Sequence, residues 1–169
     1  MKIAVIGYSG SGKSTLAATL GKQLSIPVLH LDAINFEAGW VERNREEAKA
    51  LVADFLQHES WIIDGNYGEL YFNERLTDAD RIILFQFSRV RCLIRVLRRY
   101  QMYKGQTRPD LAENCPEKID AEFLFWVLFK GRSRRRRNHF KQITQQYTDK
   151  IVVLKSPWAV KQFLSQDKF

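Results

Sequence analysis

Residues 7–15 read Gly7-Tyr8-Ser9-Gly10-Ser11-Gly12-Lys13-Ser14-Thr15, straight after the apolar run Ile3-Ala4-Val5-Ile6. The first eight satisfy G-x-x-x-x-G-K-[ST], the phosphate-binding loop, whose residue types follow from the task of wrapping a phosphate chain. Backbone N–H groups must surround the anion, and glycine lets the backbone come that close with φ unrestricted. In this reading Ser9, Gly10, Ser11, Gly12 and Thr15 shape the cradle and Lys13 reaches the β and γ phosphates. Ser14 is placed to ligate Mg²⁺, and a helix starting near Gly12 aims the positive end of its dipole at the anion. The competing reading is a glycine-rich turn. Against it stand the β-branched run before the motif and Leu16, Leu20 and Leu24 at i, i+4, i+8 after it, which give the order strand, loop, helix.

Outward from the loop, helical patterns alternate with short apolar runs. Pro27-Val28-Leu29-His30-Leu31 predicts a second strand ending at Asp32. Ala48, Leu51, Val52, Phe55 and Leu56 keep helical spacing over about residues 45–58, with Asn44 and Glu47 resembling a capping box. Trp61-Ile62-Ile63 reads as a strand ending in Asp64-Gly65, Arg81–Phe85 as another and Ile151–Leu154 as a fifth, after which Ser156 and Pro157 open a last helix. The expected fold class is α/β: a P-loop NTPase with a five-stranded parallel sheet flanked by helices. At 169 residues, 45% of them hydrophobic, the chain is long enough for one core and too short for two, so residues 1–169 form one expected domain. The N-terminus enters a strand with no apolar signal segment. The longest apolar run, Phe123 to Phe129, is far below the ~18 residues a membrane span needs. A cytoplasmic protein with no membrane partner is expected. Cys92 and Cys115 lie far apart without a CxxC partner, which points to ordinary thiols rather than a zinc site or a disulfide.

Ligands of doubly wound sheets gather at the carboxyl ends of the strands, which draws attention to Asp32 and Asp64. Asp64 is read as the magnesium-side acid, against a turn cap beside Gly65. Asp32 is read as an acceptor-side base or anchor, within an acceptor region at 32–45. The net charge of +8 implies an anionic partner. Between Arg89 and Met102, the apolar residues Val90, Leu93, Ile94 and Leu97 predict one buried helix face, with Arg91, Arg95 and Arg98 on another and Arg99 at its flank. Beyond lie a long polar loop carrying Arg108, the apolar run Phe123–Phe129 and the run Arg132-Ser133-Arg134-Arg135-Arg136-Arg137, where a helix would set Arg132 and Arg136 one turn apart. Residues 104–137 are the expected lid. Three uses compete for these arginines: charges around a triphosphate, phosphate contacts to a nucleic acid, or a solvated basic face. A membrane-surface anchor is a fourth, but Phe123–Phe129 is apolar all round, which suits burial better than an interface.

Together, the N-terminal phosphate loop, Trp61-Ile62-Ile63-Asp64-Gly65-Asn66-Tyr67 and Cys92-Leu93-Ile94-Arg95-Val96-Leu97-Arg98-Arg99 ahead of a lid resemble the adenylate-kinase-like P-loop kinases. More closely, GYSGSGKST (7–15), LHLD (29–32), WIIDGNY (61–67) and TRPDLAENCPEK (107–118) resemble the family named DNA topology modulation proteins, over nearly the whole chain. The resemblance implies an adenylate-kinase-like fold with a lid, and ATP and Mg²⁺ as cofactors. By likeness to nucleoside monophosphate kinases, Arg99 would lie over the adenine, Arg95 would approach the phosphates, and Arg132 or Arg136 would match the catalytic arginines after the lid. One departure bears on the acceptor. Those kinases follow the strand-ending Asp-Gly with an aromatic, Pro and an Arg that grips the acceptor's phosphate, whereas this chain has Asn66-Tyr67-Gly68. A small acceptor with a hydroxyl group fits that difference better than a nucleoside monophosphate.

The leading expectation is a Mg²⁺- and ATP-dependent phosphotransferase acting on a small-molecule acceptor. Lys13 and the loop amides fix the phosphates, Ser14 and Asp64 hold the metal, Arg95, Arg99, Arg108 and Arg136 screen the transferring charge, and Asp32 addresses the acceptor. The alternative is a nucleic-acid-associated ATPase whose basic helix and arginine run grip a phosphate backbone. A slowly hydrolysing nucleotide-dependent regulator is the third class.

Overall fold

A computed structural model describes residues 1–165. The chain runs β1 (Lys2–Gly7), α1 (Lys13–Leu24), β2 (Val28–His30), α2 (Leu31–Asn35), β3 (Phe36–Glu37), β4 (Val41–Glu42) and α3 (Arg45–Phe55). It continues through β5 (Trp61–Asp64), α4 (Phe72–Asp78), β6 (Arg81–Phe85), α5 (Arg89–Tyr103), α6 (Ala121–Leu128), α7 (Arg134–Gln146), β7 (Ile151–Leu154) and α8 (Pro157–Ser165). Single 3₁₀ turns occupy Ala38–Trp40 and Lys130–Arg132.

Five strands form one parallel sheet in the order β2-β5-β1-β6-β7, and β3 and β4 make a small antiparallel pair outside it. β1 is central, so its end is flanked by those of β5 and β6: Val5 lies opposite Asp64 and Gly7 opposite Phe85. The strands read as continuous apolar runs because both faces of the sheet are covered. Period-two alternation divides them between two cores. Ala4, Ile6, Trp61, Ile63, Ile82 and Leu84 face α3, α4 and α7, while Ile3, Val5, Ile62, Ile83 and Phe85 face α1, α5 and α8. Each large apolar side chain fully buried there contributes about 1.5–3 kcal/mol.

Several expectations change in the folded chain. β2 stops at His30, so Asp32 does not end a strand; it sits in the one-turn helix α2. Among the described residues β2 pairs with β5 alone, and His30 is opposite Asp64, the last residue of β5; beyond it none of them offers a ladder partner, and the backbone bonds to itself as a helical turn. α3 ends at Phe55 rather than 58, closed by short-range bonds from Gln57 N to Asp54 O and His58 N to Phe55 O.

The two largest departures concern α5 and α6. α5 does not bury Val90, Leu93, Ile94 and Leu97; its buried residues are Cys92 and Val96. The reason is the phosphate loop, which this helix touches closely: a Cβ on Gly10 would overlap Val96 Cγ2 and Cys92 O. That approach selects the stripe with a small thiol and a valine and turns the more apolar stripe outward. In α6 only Val127 is buried. Val90 is 64% exposed, Phe125 55% and Phe129 53%, with Ile94 and Leu97 at 43% each. Arg132 and Arg136 do not share a helix, because Ser133 caps α7 between them.

Candidate active site

The phosphate loop begins where β1 ends. Gly7, Gly10 and Gly12 have φ of 135°, 74° and 99°, a left-handed region that side chains resist. Ser11 Oγ donates to Tyr8 O at 2.7 Å and Lys13 Nζ to the same carbonyl at 3.3 Å, so the loop curls over itself. α1 starts at Lys13 with no side-chain cap and no acid in its first turn, leaving its first N–H groups directed at the loop's interior. Ser14 and Thr15 have no side-chain hydrogen bond among the described residues. Ser9 Oγ accepts from Trp126 Nε1 at 3.3 Å, which brings α6 down onto the loop.

Arg95 packs directly against this cradle. A Cβ on Gly12 would collide with its guanidinium, which also lies 5.9 Å from the Phe87 ring centroid. Arg132, buried, lies flat on Tyr8 at 3.9 Å and spends its donors on Phe87 O at 2.9 Å, Val127 O at 3.1 Å and Cys92 Sγ at 3.0 Å. It is a brace between the 3₁₀ turn, α5 and the loop. Arg136 stacks on Trp126 at 4.5 Å. Arg99 and Arg108 stand apart from the loop, held by one buried carboxylate. Glu117 Oε1 pairs with Arg99 Nη2 at 2.7 Å, its Oε2 lies 2.6 Å from Arg108 Nε as a charge contact without hydrogen-bond geometry, and Arg108 Nη1 donates to Asp110 Oδ2 at 2.7 Å. Burial and neighbouring Arg108 lower Arg99 from its ordinary value, with Glu117 opposing them. The segment around Arg108 in turn rests on the short β3–β4 unit: Asn114 O accepts from Gly39 N at 3.0 Å, Pro116 O from Trp40 Nε1 at 3.0 Å, and Cys115 Sγ donates to Glu37 O at 3.2 Å.

On the other side of β1, the ends of β2 and β5 gather the carboxylates. Asp64, buried, has its Oδ1 2.6 Å from His30 Nδ1. Burial disfavours the imidazolium, but the hydrogen bond and charge of Asp64, with Asp110 and Asp32 further off, outweigh it and hold His30 above its ordinary 6.5. Asp32 Oδ1 accepts from the Tyr67 hydroxyl at 2.8 Å. Burial and the Asp32 charge push that phenol upward, so Tyr67 stays a donor. Asn66 joins the two halves: its Oδ1 accepts from Gly7 N at 3.0 Å and its Nδ2 donates to Gly7 O at 2.7 Å. Beneath them Arg75, fully buried and lowered to about 10 by desolvation, donates to Leu70 O, Gly65 O and Tyr67 O at 2.9, 3.2 and 3.1 Å. It fixes the turn that carries Asn66 and Tyr67.

The fold thus brings Ser9, Lys13, Ser14, Arg95 and, through Trp126, Arg136 around the loop, with Asp64 beside β1. It ties Asp32 to Tyr67 and holds Arg99 with Arg108 on Glu117. The sequence assigned no role to His30, Asn66, Tyr67, Arg75, Glu117 or Trp126, although the motifs at 29–32, 61–67 and 107–118 contain four of them, His30, Asn66, Tyr67 and Glu117. Among the described residues no group of three or more His, Cys, Asp or Glu is arranged as a metal cage. A metal held by Ser14, Asp64 and phosphate oxygens needs no such cage.

The architecture is similar to that in a crystal structure of an uncharacterized protein from Eubacterium ventriosum ATCC 27560, at 16% identity, covering 97% of this chain and 96% of that one, with a TM-score of 0.50. A shikimate kinase from Bacteroides thetaiotaomicron matches at 19% identity over 96% of this chain and 93% of its own, with a TM-score of 0.47. No family model matches the sequence. At 16% identity the likeness to the first of these speaks for the fold alone, the α/β arrangement around a five-stranded parallel sheet described above.

Proposed function

We propose that this protein is a Mg²⁺-dependent phosphotransferase that moves the γ-phosphate of ATP to a small acceptor through a hydroxyl group. The observation that carries the reading is the loop: three glycines at positive φ, an uncapped helix N-terminus and Lys13 follow one another in a single turn, with Arg95 packed against Gly12. That set of N–H groups, hydroxyls and cations fits a polyphosphate, which would take Lys13 in place of the Tyr8 carbonyl.

When bound, Mg²⁺ neutralises phosphate oxygens and sharpens the electrophilic phosphorus. Ser14 and Asp64 would hold it, and His30 keeps Asp64 oriented. Lys13 and the loop N–H groups bind the β and γ phosphates, and Arg95 offsets the charge that develops as the terminal phosphoryl group leaves ADP. Asp32, aimed by Tyr67, anchors the acceptor hydroxyl and takes its proton as the new O–P bond forms. Arg99, Arg108 and Arg136 contribute from the lid side once Glu117 and Asp110 release the first two.

Incubation with labelled ATP and a panel of nucleosides, nucleotides, sugars and cofactor precursors tests the reading. Transfer of label to one class supports it. Hydrolysis stimulated only by DNA would favour the second reading, a nucleic-acid-associated ATPase. What favours that one is α7, which opens with Arg134–Arg137 where the helix dipole disfavours cations, and none of these four has an ion-pair partner among the described residues. Its signature is an affinity for duplex DNA that falls steeply with salt, log K changing by roughly −0.9 per phosphate neutralised.

A further inference from the structure

Six of the nine large apolar side chains standing exposed among the described residues lie on α5, on α6 or at the C-cap of α6: Val90, Ile94, Leu97, Met102, Phe125 and Phe129. Val90, Ile94 and Leu97 are spaced i, i+4, i+7 and form one outward stripe, about 10 Å long at 1.5 Å per residue. Phe125 on α6 and Phe129 at its C-cap have ring centroids 5.3 Å apart with planes tilted by 37°, and the Arg89 guanidinium lies 5.9 Å from the Phe129 ring. That contact joins the two outward faces at the Val90 end. Isolated exposed leucines need no explanation, but a joined face of this kind on neighbouring helices does.

Charge says what covers it. α5 contains no acidic residue, and exposed Arg91 and Arg98 stand next to Val90 and Leu97. Arg89 lies against Phe129, exposed Lys130 follows Phe129 in the chain with its Nζ 5.8 Å from the Trp126 ring, and none of these four cations has an ion-pair partner among the described residues. A second copy would set the same cations against themselves, with a net charge of +8 on each chain. A protein helix would need carboxylates placed in register, whereas a bilayer offers phosphates at every position, and arginine stems can lie along the apolar stripe with their heads among them.

We propose that this face docks the protein on an anionic lipid surface, Phe125, Phe129 and the α5 stripe entering the headgroup boundary while Arg89, Arg91, Arg98 and Lys130 meet lipid phosphates. The expectation of no membrane partner rested on the shortness of the apolar runs and on burial of Phe123–Phe129, a segment in which the fold buries Val127, half-buries Phe123, Leu124, Trp126 and Leu128, and leaves Phe125 and Phe129 exposed. The inner side of α5 carries Cys92, Val96 and Arg95 against the phosphate loop, so a docked face holds the helix on which Arg95 sits. The inference is independent of the phosphotransferase reading.

Vesicle flotation with the full chain tests it, using phosphatidylcholine alone and phosphatidylcholine mixed with phosphatidylglycerol. Binding is expected on the mixed vesicles and not on phosphatidylcholine alone. The double variant Phe125→Ser/Phe129→Ser keeps every charge, and its partition should fall by about tenfold or more. Should that variant fail to keep the wild-type circular dichroism spectrum, Leu97→Gln reads the same face from the other helix. Equal binding by a folded variant would mean that net charge alone adsorbs the protein, and would overturn the proposal. So would no binding to mixed vesicles. A dimer in sedimentation velocity that the variant abolishes would assign the face to a second copy, and capture of a glutamate-rich amphipathic peptide in place of the vesicles would assign it to a protein helix; either overturns the lipid reading.

Discussion

His30 Nδ1 lies 2.6 Å from Asp64 Oδ1, joining the carboxyl end of β2 to that of β5. The two residues are directly opposite in the parallel ladder, so backbone pairing itself delivers the side chains to each other. The bond fixes the rotamer of a buried carboxylate one strand away from the phosphate loop.

This pair makes stability depend on pH in a stated direction. His30 is held above its unfolded value of 6.5, so the native state binds its proton more tightly. The resulting stabilisation is fully present below pH 6.5 and is lost as pH rises through the higher folded-state value. Urea unfolding without Mg²⁺ should therefore show His30→Gln furthest below the wild type near pH 5.5, the gap narrowing towards about pH 8.5. A gap that widens with pH would reverse the sign and refute the pairing.

Lys13→Ala should leave the fold intact, because the half-buried side chain makes a single 3.3 Å bond to Tyr8 O. If ATP is the donor, kcat/KM for ATP turnover should drop by about 10²–10³-fold, as for other lost charge-stabilising donors. Calorimetric titration of ATP and steady-state turnover read both effects; unchanged values would remove the loop from the mechanism.

The two aspartates should separate by phenotype. Asp64→Asn is expected to shift the Mg²⁺ dependence of ATP turnover to higher concentration, whereas Asp32→Asn should bind ATP normally and lose transfer. Tyr67→Phe, which removes only the donor to Asp32 at 2.8 Å, should cost about 0.5–1.5 kcal/mol, expressed in the step that uses the acceptor. Identical Mg²⁺ titrations for both aspartate variants would merge the two roles.

Arg75→Met should be among the most destabilising single changes. It removes three buried donors and leaves the carbonyls of Gly65, Tyr67 and Leu70 without them, a loss of about 3 kcal/mol or more. Guanidinium denaturation measures it, and a loss below about 1 kcal/mol would show that the turn carrying Asn66 and Tyr67 does not depend on this brace.

Nine consecutive residues, 7–15, determined the phosphate loop, because its geometry is local: glycines at positive φ, a strand before and an amphipathic helix after need no distant partner. The five strands were legible for the same reason, as buried parallel strands are short continuous apolar runs. Which side chains meet was not legible. His30 and Asp64 are 34 positions apart, Asp32 and Tyr67 35, and only the order β2-β5-β1 brings them to one edge of the loop. Periodicity identified an apolar stripe on α5 but not its direction, since amphipathicity describes a helix surface and says nothing about what lies beside it. Close packing against Gly10 chose Cys92 and Val96 for the interior and left Val90, Ile94 and Leu97 outside. The tertiary structure alone decided that Arg95 lies on the phosphate loop while Arg99 and Arg108 share Glu117, because a buried carboxylate captures the cations it can reach in space, whatever their spacing in the chain.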